Sequence, residues 1–233
     1  MLALGVSLSR IVVMISQLDV SNIRSEFTVA SVKVSDINEH IPTLSFYASQ
    51  CESICEFGVR SGVSTWGMLN GLVCKSNTGH TGSLTLKGYD LSSMPGVYHQ
   101  AMQGINGVLN FTADFEQADV LKAEPVVCDL LFIDTFHVYG QLKRELARHA
   151  AGVTKYLIMH DTTVDEHYGE TIRSGWNADA ISIKTGIPKH ELLIGLGPAI
   201  SEFLSNDPTW VLKERFTNNN GLTILEKVNM LAK

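Results

Sequence analysis

The chain has 233 residues, of which 45% are hydrophobic, and it carries a formal net charge of −6 with a pI near 5.7. This length and this apolar content fit one α/β domain with a full core. The acidic balance provides no basic field that would collect phosphates, so we expect no nucleic-acid partner. No apolar run reaches the length of a membrane span, so we expect no membrane partner.

Four cysteines are spread along the chain without a C-x-x-C pair, at Cys51, Cys55, Cys74 and Cys128. This usage differs from the dense, even cysteine content of a secreted disulfide scaffold. It indicates a reducing compartment, and we expect a cytoplasmic location.

Residues 1–34 are predicted to form an N-terminal arm, or extra strands or a helix, ahead of a single domain over residues 35–233. Polar residues interrupt the apolar stretch from Leu2 to Ile15, and no small-residue cleavage site follows a basic head. An amphipathic arm is therefore favoured over a signal peptide.

The predicted domain begins with a helix from Ser35 through Tyr47, in which Ser35 is the cap and Pro42 is expected to introduce a kink. Predicted strand one follows at residues 53–57, and a second helix begins near Ser64. Four more strands, with helices or loops between them, are predicted at residues 84–91, 108–112, 128–134 and 156–159. Because strands and helices alternate, we predict an open α/β sheet.

Residues 162–197 have a weak pattern and are longer than an ordinary connection, which makes them a candidate lid or substrate loop. A helix is predicted at residues 198–204. Two final strands at residues 210–216 and 222–228 are joined by a turn that ends in Asn220-Gly221, which predicts an antiparallel hairpin.

The most informative segment is the loop at residues 56–64 (EFGVRSGVS), which follows predicted strand one. Its two spaced glycines would let backbone N–H groups approach a ligand at the first strand-to-helix turn, where open α/β sheets bind nucleosides. A dinucleotide-binding motif would need a third glycine and an acid about 20 residues further on. The chain has neither feature, so we predict a different nucleoside cofactor.

Three motifs and the element order carry a resemblance to a known family. The motifs are residues 133–137 (IDTFH), 159–162 (MHDT) and 218–223 (NNNGLT). Over roughly residues 35–228 the chain resembles class I S-adenosylmethionine-dependent methyltransferases. Within that class it is most similar to metal-dependent O-methyltransferases related to macrolide-sugar methyltransferases and the cephalosporin methoxylation protein. The resemblance implies a Rossmann-like fold with a mostly parallel seven-stranded sheet, a C-terminal antiparallel hairpin and helices on both faces.

The resemblance also implies which residues bind S-adenosylmethionine. An acid and glycines after strand one would hold its methionine part, an acid after strand two would accept hydrogen bonds from the ribose hydroxyls, and an acid near strand three would lie beside the adenine. In this chain the matching residues are Glu56, Gly58, Gly62, Ser64, Asp90 and Asp114.

A divalent metal, magnesium or manganese, is implied at the reacting centre. Asp134 and Asp161 match two ligands, and His160 stands where the family has glutamate. An imidazole ligand shifts preference from magnesium toward manganese, iron, nickel or zinc. Residues 165–167 offer further ligands. His137 matches the catalytic histidine of the family, so we predict that it acts as the base, with Asp134 beside it.

The favoured activity is methyl transfer to a hydroxyl group of a small molecule, such as a sugar or a polyketide-like ring. The alternative is a cofactor-binding protein of the same fold without transfer activity. Methylation of nucleic-acid amino groups is disfavoured because Pro-Pro-aromatic is missing after strand four, and a nicotinamide oxidoreductase is disfavoured by the final hairpin. A homo-oligomer is compatible with the sequence.

Overall fold

The computed structural model describes residues 17–228. The predicted arm at residues 2–15 lies outside this range, and the division at residue 34 stays a prediction. Residues 18–32, which belong to the predicted arm, form a short strand and a helix. Among residues 17–228, none of the helices combines the length and the apolarity that a bilayer crossing needs.

Nine strands are present in the described part of the chain. In chain order they are β1 (Leu18–Asp19), β2 (Ser53–Phe57), β3 (Leu84–Asp90), β4 (Ile105–Asn106), β5 (Phe111–Gln117), β6 (Cys128–Ile133), β7 (Val153–His160), β8 (Trp210–Phe216) and β9 (Leu222–Lys227). Seven of them form one sheet in the order β5-β3-β2-β6-β7-β9-β8, and β1 pairs with β4 alone. The first five are parallel, whereas β9 is antiparallel to both β7 and β8. This confirms the predicted sheet and its C-terminal hairpin.

Helices cover both faces of the sheet. They are α1 (Val20–Val32), α2 (Ile41–Ala48), α3 (Val63–Asn77), α4 (Gly96–Ala101), α5 (Tyr139–His149), α6 (Glu170–Arg173), α7 (Ala178–Thr185), α8 (Lys189–Leu193) and α9 (Leu196–Asn206). Successive residues of β6 point to opposite sides, so that Phe132 packs in the core under α2 and α3, and Leu131 in the core under α5 and α9. A sheet buried on both faces explains why β6 is an almost continuous apolar run.

The prediction that the first helix of the domain begins at Ser35 is wrong. The Ser35 hydroxyl accepts a hydrogen bond from the Ile37 N–H at 3.4 Å, but only a 3₁₀ turn at Asn38–His40 follows before α2 begins at Ile41. Pro42 lies in the first turn of α2. It introduces no kink there, because the N–H that proline lacks would have no helical partner in the first turn.

The predicted end of strand three is also wrong. β5 runs to Gln117, so Asp114 lies in the middle of the strand, opposite Lys87 of β3. The Lys87 ammonium lies 3.4 Å from the Asp114 carboxylate and 3.0 Å from Glu116. Alternation of apolar and polar residues continues through β5 and keeps it on the sheet, with Phe115 packed against the core.

One part of the sheet face has no helix over it. The connection from β5 to β6 forms no helix, and a groove of about 540 Å³ lies on this face. Its polar lining includes Thr85, Lys87, Thr112, Asp114 and Glu116. The groove lies away from the carboxyl ends of β2, β6 and β7, where the other predicted site residues stand.

Candidate functional site

The loop between β2 and α3 depends on its two glycines. Gly58 has φ of 82° and Gly62 has φ of 78°, a conformation that side chains disfavour. A Cβ atom on Gly58 would lie 1.9 Å from the Asp134 carbonyl oxygen, and one on Gly62 would lie 2.4 Å from the Val97 side chain. The loop therefore passes directly against the end of β6, which brings the predicted cofactor loop next to Asp134.

Glu56 is fully buried beneath this loop. Its carboxylate accepts hydrogen bonds from the hydroxyls of Ser64 at 2.5 Å, Thr65 at 2.8 Å and Tyr98 at 3.0 Å. Burial raises the pKa of Glu56 to about 7, although the three hydroxyl donors oppose the rise. In this arrangement Glu56 and Ser64 hold the start of α3, and direct contact of either with a cofactor stays a prediction.

Asp90 is the last residue of β3 and lies beside the loop. Its Oδ2 atom accepts the Arg60 N–H at 2.7 Å, and its Oδ1 atom accepts the Ser92 N–H at 2.7 Å. Each carboxylate oxygen has a further lone pair. Asp90 can therefore still accept hydrogen bonds from the two hydroxyls of a ribose.

The structure does not bring Asp114 to this edge of the sheet, because β5 continues three residues beyond it. Asp114 therefore lies apart from the other predicted cofactor residues, and its adenine-side role stays a prediction. The first acid after β5 is Asp119, and its Oδ1 atom accepts the Leu121 N–H at 3.0 Å as a local turn cap.

Two acids and a histidine meet at the ends of β6 and β7. The His137 Nε2 atom lies 3.1 Å from the Asp134 carboxylate, and its Nδ1 atom lies 2.9 Å from the Asp161 carboxylate. One ligand atom from each of the three residues lies within 4.8 Å of the others. Asp161 directly follows β7 and has a left-handed backbone with φ of 57°. We call Asp134, His137 and Asp161 the acid–histidine cluster.

The lid segment adds two further carboxylates to the cluster. Asp165 and Glu170 lie 3.4 and 3.6 Å from the His137 Nδ1 atom. Arg173 binds both oxygens of Asp165 at 2.7 Å. The Glu170 N–H donates to the His137 carbonyl at 2.9 Å, which ties the start of α6 to the loop after β6. Glu170 was missed from the sequence because nothing local marks it.

The carboxylates around His137 determine its charge. Burial opposes the charged ring, but the nearby carboxylates of Asp134, Asp161 and Asp165 outweigh it and raise the pKa of His137 well above its usual range. Burial likewise opposes ionisation of Asp134, and the two histidines beside it nevertheless lower its pKa. The surrounding carboxylates therefore favour the protonated ring, and a protonated ring has no lone pair with which to accept a proton.

His160 lies beside the cluster, and its predicted role as a metal ligand stays a prediction. Its Nδ1 atom lies 3.3 Å from the Asp134 carboxylate, and its Nε2 atom lies 3.2 Å from the Asn219 carbonyl in the β8–β9 turn. The ring is 1% exposed and joins the hairpin to β6. The three-residue group that could hold a metal ion contains His137 in place of His160.

The cluster has the donor atoms that a divalent cation needs. Within residues 17–228, His137 Nδ1 and Asp161 Oδ1 are buried and make no hydrogen bond of acceptable geometry. Two carboxylates and one imidazole suit manganese, iron or zinc better than magnesium. The residues therefore fit a divalent cation at Asp134, His137 and Asp161.

The lid segment, residues 162–197, carries several exposed apolar side chains. Trp176 is 48% exposed, and its ring lies 6.0 Å from that of Phe136, next to His137. Ile172 and Tyr168 are also exposed. In contrast, the Tyr139 hydroxyl donates to Glu202 and accepts from Lys143, so it is part of a surface network on α5 and α9.

No family model matches the chain, and no curated protein matches it by sequence. Several solved structures share its architecture. A proposed caffeoyl-CoA O-methyltransferase from Staphylococcus aureus has a TM-score of 0.52 at 12% identity, with 89% of this chain and 91% of that chain covered. The O-methyltransferase TomG from Streptomyces achromogenes, in complex with SAM, has a TM-score of 0.50 at 13% identity, with 90% and 88% covered. Cofactor-bound Rv0187 from MTB has a TM-score of 0.50 at 13% identity, with 90% and 89% covered.

The chain has the class I methyltransferase fold. This confirms the fold predicted from the element order. In the class I methyltransferase fold of this chain, the glycine loop, Asp90 and the acid–histidine cluster all lie at the carboxyl ends of the parallel strands, which is where open α/β sheets bind ligands.

Proposed function

We propose that the chain is an S-adenosylmethionine-dependent methyltransferase that acts on a hydroxyl group of a small molecule. The observation that carries this proposal is the convergence of a glycine loop, the Asp90 carboxylate and the acid–histidine cluster at one edge of the sheet. The O-methyltransferases that share the fold support it.

The cofactor would lie along this edge. Backbone N–H groups of the loop and the start of α3 would contact its methionine part, since the helix has no side-chain cap there. Asp90 would accept the ribose hydroxyls. Glu56 would contribute indirectly, by holding Ser64 and Thr65 in place beneath the loop.

Methyl transfer from a sulfonium forms an O–CH₃ bond and breaks an S–CH₃ bond, so the acceptor oxygen must lie in line with that bond and lose its proton. When bound, a divalent cation would lower the pKa of the acceptor hydroxyl and direct its oxygen. Asp134, His137 and Asp161 would hold such a cation. A neutral imidazole has one lone pair. His137 would therefore act either as the third ligand or, with Asp134 and Asp161 alone as ligands, as the predicted base.

The acceptor would enter from the side of the lid, where Trp176, Ile172 and Tyr168 are exposed. The carboxylates of the cluster disfavour an anionic acceptor, because like charges repel. A neutral sugar or a polyketide-like ring is compatible with these surroundings.

A second candidate function is cofactor binding without transfer. The observation that favours it is the imidazole of His137, which bridges the two carboxylates that would otherwise hold a cation. Manganese-stimulated methyl transfer to any hydroxyl acceptor would exclude this alternative.

Calorimetric titration with S-adenosylhomocysteine, with and without manganese, tests the proposal. The wild-type protein should bind the ligand, and Asp90→Ala should weaken binding about tenfold or more, because two hydrogen bonds to a charged acceptor are lost. Asp114→Ala is the matched control, since this acid lies on the neighbouring strand away from the edge. No binding by the wild-type protein under any metal condition would reject the proposal.

A further inference from the structure

The glycine loop contains one cationic side chain, Arg60, whose backbone and side chain have different partners. Its N–H donates to Asp90, as described above. Its guanidinium Nη2 atom donates to both carboxylate oxygens of Asp36, at 2.9 and 2.8 Å. The loop in which the methionine part would bind therefore carries a positive charge that a carboxylate of the protein already occupies.

The backbone of Arg60 is unusual for a residue with a side chain. Its φ is 49°, between the left-handed glycines Gly58 and Gly62. Glycine would adopt this conformation without cost, whereas an arginine in it is strained. The strain is offset by the interactions that the N–H and the guanidinium of Arg60 make at this edge of the sheet.

Asp36 lies in a fixed segment, residues 35–38, which we call the strap. The Asn219 side chain donates to the Ser35 carbonyl at 2.9 Å, and Asn38 accepts the Ser35 N–H at 3.1 Å. Ile37 is buried in the core at 2% exposure. The strap thus joins the β8–β9 turn and presents the Asp36 carboxylate, 34% exposed, to the loop.

The charges near Arg60 come from the strap and from the acid–histidine cluster. The hydrogen bond with Asp36 raises the pKa of Arg60, and the charges of Asp134 and Asp161 add to the effect. The guanidinium is therefore within electrostatic reach of the acid–histidine cluster. It is also 67% exposed, so a ligand can reach it.

Resting on the proposed function, we propose that Arg60 is a specificity-determining residue that binds the α-carboxylate of the cofactor's methionine part, and that Asp36 occupies Arg60 until the cofactor displaces it. A guanidinium binds an α-carboxylate through the same charge-assisted hydrogen bonds that it makes with an aspartate. Asp36 then acts as an internal competitor, which disfavours nucleosides that cannot replace its charge.

Two ligands separate this role from general binding at the site. S-adenosylhomocysteine contains the α-carboxylate, whereas 5′-methylthioadenosine has the same thioether nucleoside without the amino acid part. Arg60→Gln should weaken the affinity for S-adenosylhomocysteine about tenfold or more. It should change the affinity for 5′-methylthioadenosine less than about twofold. Arg60→Lys, which keeps the charge without the planar fork, should give an intermediate loss.

Asp36→Asn should have the opposite effect. Removal of the competing carboxylate should tighten the binding of S-adenosylhomocysteine about two- to fivefold, as expected for an exposed ion pair. In the Arg60→Gln background the same substitution should have no effect, because the two residues act on one another. Asp179→Asn is the matched control, since Asp179 forms an exposed ion pair with Lys189 away from the site.

Calorimetry gives the affinities, and thermal unfolding confirms that each variant is folded. Two results would overturn the role of Arg60 while leaving the proposed function in place. One is that Arg60→Gln weakens the binding of both ligands equally. The other is that Asp36→Asn leaves the affinity for S-adenosylhomocysteine unchanged. If the wild-type protein bound neither ligand, the proposed function would fail and this inference with it.

Discussion

At the scale of single residues, the least expected feature is the number of buried carboxyl groups near the site. Glu56 and Glu145 are both fully buried, and burial raises the pKa of each to about 7 against the opposition of their hydrogen-bond donors. Glu145 accepts from the Thr135 hydroxyl at 2.6 Å and from Gln141 at 2.8 Å. Both carboxyls therefore position neighbouring polar groups, at a cost in stability at neutral pH.

Glu145→Gln should remove one pH dependence of the free energy of unfolding. A carboxyl with a pKa of about 7 when folded and 4.5 when unfolded keeps its proton in the folded state between these values. Its contribution to stability is thus present at low pH and is lost as pH rises through this window, by roughly 2 to 4 kcal/mol in total. Urea unfolding measures the free energy of unfolding at pH 5 and pH 7.5. Relative to the wild type, the variant should be more stable at pH 7.5 than at pH 5 by about this amount.

The exposed Glu124→Gln provides the control and should show no such pH-dependent difference. If the difference in unfolding free energy between Glu145→Gln and the wild type were the same at both pH values, Glu145 would be ionised throughout and its pKa would not be raised.

The residue roles were only partly predictable. Asp90 ends β3, whereas Asp134 and Asp161 directly follow β6 and β7. The predicted strand ends were enough to place all three at one edge. The inward turn of Glu56 and the insertion of His137 between two carboxylates depend on contacts between distant parts of the chain. No local periodicity encodes such contacts.

At the scale of elements, α2 and α3 lie unusually close together on one face of the sheet. A Cβ atom on Gly71 of α3 would lie 2.4 Å from the Ala48 side chain and 2.5 Å from the Ser45 carbonyl of α2. The absence of a side chain at Gly71 is therefore what permits this approach.

Gly71→Ala should destabilise the protein by about 1 to 3 kcal/mol, because overpacking outweighs the better helix propensity of alanine. Gly96→Ala is the matched control, since nothing lies within 4 Å of a Cβ atom there, and it should be neutral or stabilising. Chemical denaturation measures both variants. Equal stability of Gly71→Ala and the wild type would show that α2 can move away from α3 without cost.

The elements themselves were predicted with uneven success for identifiable reasons. The strand at Ser53–Phe57 and the hairpin strand Trp210–Phe216 match their predictions, because glycine loops or polar turns bound them. β5 was misplaced because its polar residues Thr112, Asp114 and Glu116 lie on the sheet face that no helix covers. The resulting half-polar strand lacks the apolar run that marks its neighbours.

The three short helices α6, α7 and α8 replace the irregular lid that the weak pattern indicated. Short helices with few apolar residues give little periodic signal. Their packing explains how Glu170 and Asp165 reach the cluster, and the role of this segment as a lid stays a prediction.

At the scale of the whole molecule, two places compete as ligand sites. The carboxyl edge has a glycine loop, Asp90 and the acid–histidine cluster, whereas the groove of about 540 Å³ on the sheet face has mostly alternating polar side chains of β3 and β5. In the groove, the Lys87 ammonium already forms ion pairs with two acids of β5, Asp114 and Glu116. The kinds of side chain at the two places therefore favour the carboxyl edge over the groove as the ligand site.

A crystal structure of the protein with S-adenosylhomocysteine tests the central claim most directly. We expect the ribose hydroxyls to bind Asp90, the homocysteine part to lie along the glycine loop, and the sulfur to face Asp134 and His137. Density for the ligand in the groove beside Lys87, with the carboxyl edge unchanged, would contradict it.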